Sequence, residues 1–382
     1  MLQVNKYRIH ILCPRLGITD RGAEVFVYEL AKYLQRDFAV TVWVRKTKGQ
    51  SSMLADLKKY EVQVRYATCI DESHPIASTL YKIHPLRKVL EKLRLDPMGI
   101  EMLSFSLVCL PGLFRSGADV LFPVNGIWGV LACQIVRIFT GIPFIYSSQG
   151  GIEPPVAFLQ PNVYIAIHRY TKSWLLKHFP KLKVVHISNG IDLKRFTPHG
   201  EKIVLDLPQP IFITVSALIP TKRIDLTIKA MAKLKSGSLL VLGNGPLKEE
   251  LTQLGVRLLG SGRFKILAVP NTQIPKYYRS ASVFAFAAPE EKGWGLVHLE
   301  ALACGLPAVV NDEENLRSLI GKAAFYCDVY DANAYSRCLF KANQKHFNSE
   351  GRRIAQTVAW ETVGKKYSQL LYQIAAKNEK SN

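Results

Sequence analysis

Two patterns of apolar residues alternate along this chain. Short apolar runs between polar or glycine-containing turns are typical of buried strands, and apolar residues that recur every three or four positions are typical of helices. The runs predict strands at residues 9–13, 40–44, 62–66, 120–122, 143–147, 211–216, 239–242, 265–269 and 283–287. The periodic stretches predict helices at residues 23–35, 129–139, 225–234, 247–254, 274–280 and 296–304.

Strands and helices that alternate in this way predict parallel sheets with helices on both faces. At 382 residues the chain exceeds the usual size of a single core, so we expect two such α/β, doubly wound, Rossmann-like domains. Residues 199–210 are rich in proline and polar residues and predict the linker. We therefore assign residues 1–197 to a first domain, 198–358 to a second, and 359–382 to a C-terminal helix with a polar tail.

The net charge of +20 requires an anionic partner or surface. Residues 1–200 alone hold 26 Lys and Arg against 14 Asp and Glu. No zinc-finger, aromatic RNA-binding strand or basic recognition helix is present, so we expect no nucleic-acid partner. Residues 81–95 place apolar residues at helical spacing among basic ones, which predicts contact with an anionic membrane; an ordinary solvated helix face explains the same charges.

Seven cysteines, odd in number and without C-x-x-C spacing, argue against a disulfide framework and a zinc site. A reducing cytoplasm fits this pattern. The start of the chain lacks an apolar signal core. Polar residues interrupt the two most apolar spans, 100–114 and 120–139, so we expect neither to cross a bilayer.

The richest chemistry lies in residues 290–307. Gly293 and Gly295 allow a ligand to approach the backbone closely, and the helix predicted at 296–304 would point its N-terminal amides at that ligand. Glu300 on that helix is suited to accept hydrogen bonds from sugar or ribose hydroxyls. Amides for phosphate beside a carboxylate for hydroxyls predict a nucleotide-sugar site.

This segment resembles the donor-site signature of retaining glycosyltransferases of family 4, E-G-F-G-L-x-x-L-E-A-x-A-x-G-x-P, from Gly293 to Pro307 almost without a break. The spacing differs at the first glutamate of the signature, where Lys292 stands. We predict that Glu291 rather than Glu290 supplies that carboxylate through a one-residue shift. The alternative is that Lys292 alters how the donor is handled.

Further segments strengthen the resemblance. Lys222 follows a predicted strand and matches the family's donor-phosphate lysine; read alone, it is an ordinary loop cation. Ala217 stands where the family has arginine, and Arg223 is the candidate to compensate. With Lys222, Glu291 and Glu300 as catalytic candidates, the implied donor-binding residues are Gly22, Ser216, Arg223, Gly243, Asn244, Gly245, Ala268, Gly293, Trp294, Gly295 and Leu296.

In the first domain, Gly22 lies in register with the family's G-G-A-E opening, and the following Glu24 either serves function or complements a helix dipole. Gln149 replaces a family histidine, so a general base there is not expected. Gln149 and Gly150 remain candidates for contacts with the sugar or acceptor.

The resemblance implies a GT-B architecture, with the acceptor on the first domain, the nucleotide sugar on the second and the last helix returning to the first. It also implies a retaining, metal-independent hexosyltransferase that uses a glycan or lipid-linked acceptor in polysaccharide or glycoconjugate synthesis. No cofactor is expected besides the donor substrate. Two alternatives stay open: a nucleotide-sugar epimerase, and a catalytically impaired binding subunit, which the substitutions Ala217, Gln149 and Lys292 motivate.

Overall fold

The chain forms two compact units in this computed structural model. One unit comprises residues 1–188 and 361–382, and the other comprises residues 189–360. The structure describes residues 6–19, 22–47, 51–72, 74, 75, 79, 81, 84–124, 126–149, 151–288, 295–345 and 349–379, without the side chains of 84–86, 315 and 318.

The first unit is built on parallel strands. Their order is β3-β2-β1-β4 in one sheet and β5-β6-β7 in another, and isolated bridges link Leu121 to Phe144 and Val124 to Ser147. The strands are β1 Arg8–Leu12, β2 Ala39–Arg45, β3 Gln63–Ala67, β4 Val120–Pro123, β5 Ile145–Ser148, β6 Val163–Ala166 and β7 Val184–His186.

Helices form in the long apolar spans of the first unit and in the shorter segments that connect its strands. They are α1 Gly22–Leu34, α2 Ser52–Lys59, α3 His84–Lys92, α4 Pro97–Phe114, α5 Ile127–Thr140, α6 Pro154–Phe158 and α7 Arg169–His178. Tyr146, Phe144 and Tyr164 are fully buried in the core that α4 and α5 cover, because apolar side chains of adjacent parallel strands lie on the same face.

The second unit contains one six-stranded parallel sheet of order β10-β9-β8-β11-β12-β13. Its strands are β8 Ile211–Val215, β9 Ser238–Leu242, β10 Phe264–Leu267, β11 Val283–Phe286, β12 Ala308–Asn311 and β13 Ala324–Cys327. Its helices are α8 Ile224–Met231, α9 Lys248–Leu259, α10 Ile274–Ser280, α11 Leu296–Ala303, α12 Glu314–Ile320, α13 Ala332–Asn343 and α14 Ser349–Thr357.

Both faces of this second sheet are covered. Successive residues of one strand enter opposite cores: Ile211 and Ile213 belong to one apolar cluster and Phe212 to the other. The continuous apolar runs in the sequence therefore mark strands that are buried on both sides.

The boundary between the units lies earlier than the predicted residue 197. Ile191 and Phe196 are buried in a core cluster of the second unit, and the Ile191 amide donates to the Val358 carbonyl at 3.0 Å. Arg352 also donates to the Phe196 carbonyl at 2.7 Å. The segment from Asn189 onward thus belongs to the second unit by its packing.

The last helix, α15 Trp360–Glu379, joins the first unit from Glu361 onward. Tyr367 is fully buried, with its ring 5.7 Å from that of Phe26 and stacked on Phe122 at 6.1 Å. The Tyr372 ring lies 4.7 Å from that of Phe38. The C-terminal segment therefore contributes side chains to the core of the first unit.

Candidate functional site

The loops that follow β8, β9 and β10 are hydrogen-bonded to one another at the carboxyl edge of the second sheet. The Leu218 amide donates to the Asn244 carbonyl at 3.0 Å, and the Gly243 amide donates to the Leu267 carbonyl at 2.8 Å. Ligands of open parallel sheets bind outside this edge. The loops that carry Ser216, residues 243–245 and the exposed Ala268 therefore meet there.

Two glycines are required for these loops to meet. A Cβ at Gly243 would lie 1.9 Å from the Ser216 carbonyl oxygen, and one at Gly245 would lie 2.6 Å from that of Leu218. Neither backbone oxygen can move without breaking the loop contacts. The G-x-G pattern is thus explained by close backbone packing, and the same packing brings exposed Asn244 to the edge of the sheet.

Lys222 ends a short 3-10 turn, Pro220–Lys222, between β8 and α8. Its Nζ lies 5.8 Å from the centroid of the Phe286 ring at the end of β11. Burial lowers the pKa of its ammonium group. The amine is therefore held, partly desolvated, at the carboxyl edge, where a cation interacts strongly with phosphate.

The start of α11 adjoins the lysine. His298 is fully buried with its ring 4.6 Å from that of Phe286, and Lys222 is close enough to contribute to the lowering of the His298 pKa. Burial is the main cause, and it lowers that pKa to about 4, so the imidazole is neutral. Gly295 precedes the helix, and its lack of a side chain leaves room for a ligand at the first amides.

Arg223 does not point where its predicted role, contact with the donor phosphates, would require. Its guanidinium donates to both carboxylate oxygens of Asp225, at 3.1 and 3.3 Å, and lies over the Tyr330 ring at 5.3 Å. The left-handed backbone at this residue, with φ of 48°, directs the side chain there. Arg223 is thus engaged by its own loop, which does not favour a role as replacement for the arginine missing at Ala217.

Glu300 lies in the second turn of α11 and is 8% exposed. It accepts a hydrogen bond from the Tyr278 hydroxyl at 3.2 Å. Burial raises its pKa from 4.5 to about 7, against the opposing effects of the Arg195 charge and the Tyr278 hydrogen bond. The predicted sugar-contacting carboxylate is therefore a largely buried group that titrates near neutrality.

Sequence reasoning missed four residues of this site: Arg195, Tyr278, Phe286 and His298. Arg195 contacts both Asn271 oxygens and acts on the charge of Glu300. His298 has no metal-ligand spacing in the sequence, and residues two apart on a helix do not face each other, so its position before Glu300 gives no signal. The aromatic residues carry no local signal beyond their strand and helix periodicity.

Several predicted site residues lie outside the described part of the chain. These are Glu290, Glu291, Lys292, Gly293, Trp294 and Gly150. Leu296 is the first residue of α11 and is partly exposed.

In the first unit, Gly22 begins α1 and is exposed, with nothing within 4 Å of a Cβ built on it. The Gln149 amide donates to the Ser147 hydroxyl at 2.9 Å, and that hydroxyl lies 3.4 Å from the Tyr367 hydroxyl. Gln149 is thus oriented by the C-terminal helix of the same unit.

A cavity of about 340 Å³ opens in the first unit where α3, α4 and α5 begin or end. Its apolar walls include Met98, Met102 and Ile127, and its polar groups come from Glu91 and Arg94. The Trp128 indole lines it and donates to the Arg94 carbonyl at 3.1 Å. Since α5 directly follows β4, the cavity lies at the carboxyl end of that strand, beside the β1–β4 point where the strand order reverses.

Within the described residues, no group of three or more His, Cys, Asp or Glu side chains is arranged to hold a metal ion. The seven cysteines are free thiols. One described helix, Pro97–Phe114, is long and apolar enough to cross a membrane by length and composition alone, and 28% of it is buried.

Two family models match consecutive parts of the chain. Glycosyltransferase Family 4 matches residues 21–195, and Glycosyl transferases group 1 matches residues 197–346. The two matches meet near the boundary between the two units and leave α15 outside.

Among curated proteins, the chain is 28% identical over 195 residues to a GDP-mannose-dependent alpha-(1-6)-phosphatidylinositol monomannoside mannosyltransferase of Mycolicibacterium smegmatis, a match that covers 45% of this chain and 50% of the relative. It is 37% identical over 141 residues to a D-inositol 3-phosphate glycosyltransferase of the same organism, covering 34% and 32%. The chain thus spans half or less of the length of these relatives.

Solved structures agree over nearly the whole chain. A glycosyltransferase from Rickettsia africae superposes with a TM-score of 0.73 at 15% identity, covering 97% of this chain and 99% of that one. Anabaena HepE in complex with UDP-glucose gives a TM-score of 0.71 at 16% identity, covering 96% and 99%. These likenesses confirm the predicted GT-B fold. With both halves matched, the chain belongs to the family 4, group 1 glycosyltransferases.

Proposed function

We propose that this protein transfers a sugar from a nucleoside-diphosphate sugar to a glycan or lipid-linked acceptor in polysaccharide or glycoconjugate synthesis. The observation that carries the proposal is the meeting of the Lys222 amine, the Phe286–His298 ring pair and the start of α11 at the carboxyl edge of the second sheet. A cation and helix amides at one edge suit a diphosphate.

In this mechanism the bond between sugar C1 and the diphosphate oxygen breaks, and the electron pair leaves with the nucleoside diphosphate. The Lys222 ammonium and the amides at the start of α11 stabilise the negative charge that develops on the leaving group. The acceptor hydroxyl attacks C1 and passes its proton to the departing diphosphate oxygen, and we propose that the configuration at C1 is retained. Because Lys222 and the amides supply the positive charge, the mechanism requires no bound metal.

We place the acceptor in the cavity of the first unit. Its mixed walls, with the Trp128 ring and Met98 beside Glu91 and Arg94, suit a molecule with both apolar and hydroxyl-bearing parts. A phosphatidylinositol monomannoside, named as the substrate of one relative, has that character. We propose a cytoplasmic protein that works at the inner membrane face.

Donor binding can be tested by thermal shift with a panel of nucleoside diphosphates and their sugars. A ligand at a hundred times its Kd stabilises the protein by about 2.7 kcal/mol. We expect at least one nucleotide to raise Tm in wild type and in Lys233→Ala, a variant of an exposed lysine on the same unit, and not in Lys222→Ala. No shift with any nucleotide would contradict the proposal, and an equal shift in Lys222→Ala would remove Lys222 from the donor site.

A further inference from the structure

Helix α4 is apolar on its outward side as well as on its inward side, where Phe105, Cys109 and Leu113 are buried in the core. Glu101, the one charged residue in Pro97–Phe114, is completely buried. Its carboxylate lies 3.4 Å from an Arg45 nitrogen and 4.0 Å from Arg15 Nε, and it accepts a hydrogen bond from the Glu72 amide at 3.1 Å. The charged side of this helix therefore faces the protein interior.

The outward side of α4 is apolar. Leu107, Val108 and Phe114 are 56%, 50% and 38% exposed, and exposed Pro111 lies between them in one stripe at helical spacing. The end of α5 extends the stripe, because the Phe114 ring lies 6.2 Å from that of Phe139.

Ile138 and Phe139, on α5, are 66% and 76% exposed. We call Leu107, Val108, Phe114, Ile138 and Phe139 the α4–α5 apolar surface. A soluble helix normally turns such residues to the core. Here the core side of α4 is occupied by other residues, so the α4–α5 apolar surface is left for a partner.

Area alone does not separate a second copy of the chain from a bilayer as the partner. With about 150–250 Å² for a whole large side chain, the five exposed fractions amount to roughly 500 Å². A stable dimer buries about 800 Å² on each partner, and roughly 57% of such an area is apolar. Charge separates the two partners, because a symmetric dimer brings the same basic residues of two copies together, whereas a bilayer interface combines inserted side chains with attraction to anionic lipid.

The charges around the surface fit anionic lipid. Arg115 follows Phe114 and is exposed, and no acidic residue occurs in the sequence between Glu101 and Asp119. Residues 1–200 as a whole carry 26 basic against 14 acidic residues. Because Arg15 and Arg45 fix the buried Glu101, a membrane-spanning α4 would carry three charged groups into hydrocarbon. The helix therefore has to lie in the plane of the membrane.

We propose that the α4–α5 apolar surface inserts into the interfacial layer of an anionic bilayer and holds the first unit there. This docking surface differs from residues 81–95, where the sequence predicted membrane contact and where α3 exposes the charged Arg87 and Lys88. The inference goes beyond the proposed function, because binding to lipid requires neither donor nor transfer.

Vesicle flotation of the full chain tests this inference. The vesicles are pure phosphatidylcholine, or phosphatidylcholine with about a third phosphatidylglycerol. The test variant is Ile138→Ser with Phe139→Ser, and the matched control is Phe340→Ser, a 58% exposed phenylalanine on the second unit. We expect wild type and control to float with the anionic vesicles, and the double variant to lose partitioning by roughly ten-fold for each side chain removed.

Unchanged Tm and unchanged thermal shift with nucleotide show that the double variant is folded, and they separate this test from that of the proposed function. Wild type that stays unbound, or a double variant that floats like wild type, would overturn the inference. So would a wild-type dimer in light scattering that the double variant dissociates, since the surface would then join two copies. Retention in the membrane pellet after alkaline carbonate would contradict in-plane binding.

Discussion

At the scale of single residues, Glu300 combines two demands that oppose each other. A carboxylate that accepts hydrogen bonds from a sugar or ribose must be ionised and reachable, yet this one is 8% exposed and has a pKa raised to about 7. Desolvation outweighs the help of Tyr278 and Arg195. Ionised Glu300 therefore lowers the free energy of unfolding.

This effect gives a pH-dependent prediction. Because the folded protein holds the Glu300 proton more tightly than the unfolded chain, stability due to this group falls as pH rises from 4.5 to about 7 and stays low above it. Glu300→Gln should raise the free energy of unfolding at pH 8 by up to about 3 kcal/mol and leave it nearly unchanged at pH 4. Denaturant titrations at both pH values measure this. Equal effects at both would contradict the raised pKa.

A second residue-scale prediction concerns the first carboxylate of the donor signature, which lies outside the described residues. We expect Glu291→Gln to reduce turnover strongly and Glu290→Gln to have little effect, because Glu291 is nearer in the sequence to Gly293, a residue type that permits a backbone shift. Steady-state release of nucleoside diphosphate measures both variants. Damage by Glu290→Gln alone would reverse the assignment, and a gain of activity in Lys292→Glu would identify Lys292 as a residue that limits the chemistry.

Sequence patterns located site residues better than they oriented them. Lys222 could be placed at the carboxyl edge because it follows a strand, and the structure holds it beside Phe286. The direction of Arg223 was not legible, since a left-handed residue and a near neighbour, Asp225, decide it. Arg195 and Tyr278 come close to Glu300 only through tertiary packing, which leaves no local pattern.

At the scale of elements, two glycines between a strand and a helix differ in their surroundings: Gly243 is closely packed and Gly22 has open space. Gly243→Ala should destabilise the second unit and abolish the nucleotide-induced thermal shift, because its Cβ would meet the Ser216 carbonyl at 1.9 Å. Gly22→Ala has open space and should keep or slightly raise Tm. A Gly22→Ala protein that is stable but loses turnover would show that a ligand approaches Gly22. A Gly243→Ala protein with wild-type Tm would show that close backbone packing does not require a glycine at position 243.

The buried network around Glu101 joins α4 to the ends of β1 and β2. Glu101→Ala removes the buried carboxylate that faces Arg15 and Arg45, which keep their pairs with the more exposed Glu72 and Asp71, and should cost about 1–3 kcal/mol of unfolding free energy. The partly exposed Glu350, paired with Arg353 on α14, provides the control, and Glu350→Ala should leave stability nearly unchanged. Chemical denaturation measures both. Equal stability of the two variants would show that Glu101 does not hold α4 in place.

Elements with strong periodicity were predictable to within a few residues, as the match of residues 274–280 to α10 illustrates. Strands β6, β7, β12 and β13 were not predicted. They are short, three or four residues each. Strands β7 and β13 also lie at the edges of their sheets, where exposure weakens the apolar pattern, whereas β6 and β12 are central and buried. Pro111 within α4 likewise obscured a helix that continues through it.

At the scale of the whole molecule, composition and alternation predicted two α/β domains, but not the point at which they divide. The proline-rich segment before β8 looked like the linker, whereas Ile191 and Phe196 pack in the second unit. The composition of a linker indicates only local flexibility. The boundary between the two units depends instead on which core buries each side chain. The return of residues 361–382 to the first unit has no local sequence signal either.

The most direct test of the central claim, sugar transfer from a nucleoside-diphosphate sugar, is release of nucleoside diphosphate by the purified full chain from a panel of nucleotide sugars, with and without a lipid or glycan acceptor. We expect one donor to be consumed, faster with acceptor, by wild type and Lys233→Ala, and no release above background by Lys222→Ala. Release from no donor, despite nucleotide binding, would contradict transfer and favour an impaired binding subunit. Isomerisation of the sugar on its nucleotide would instead indicate an epimerase.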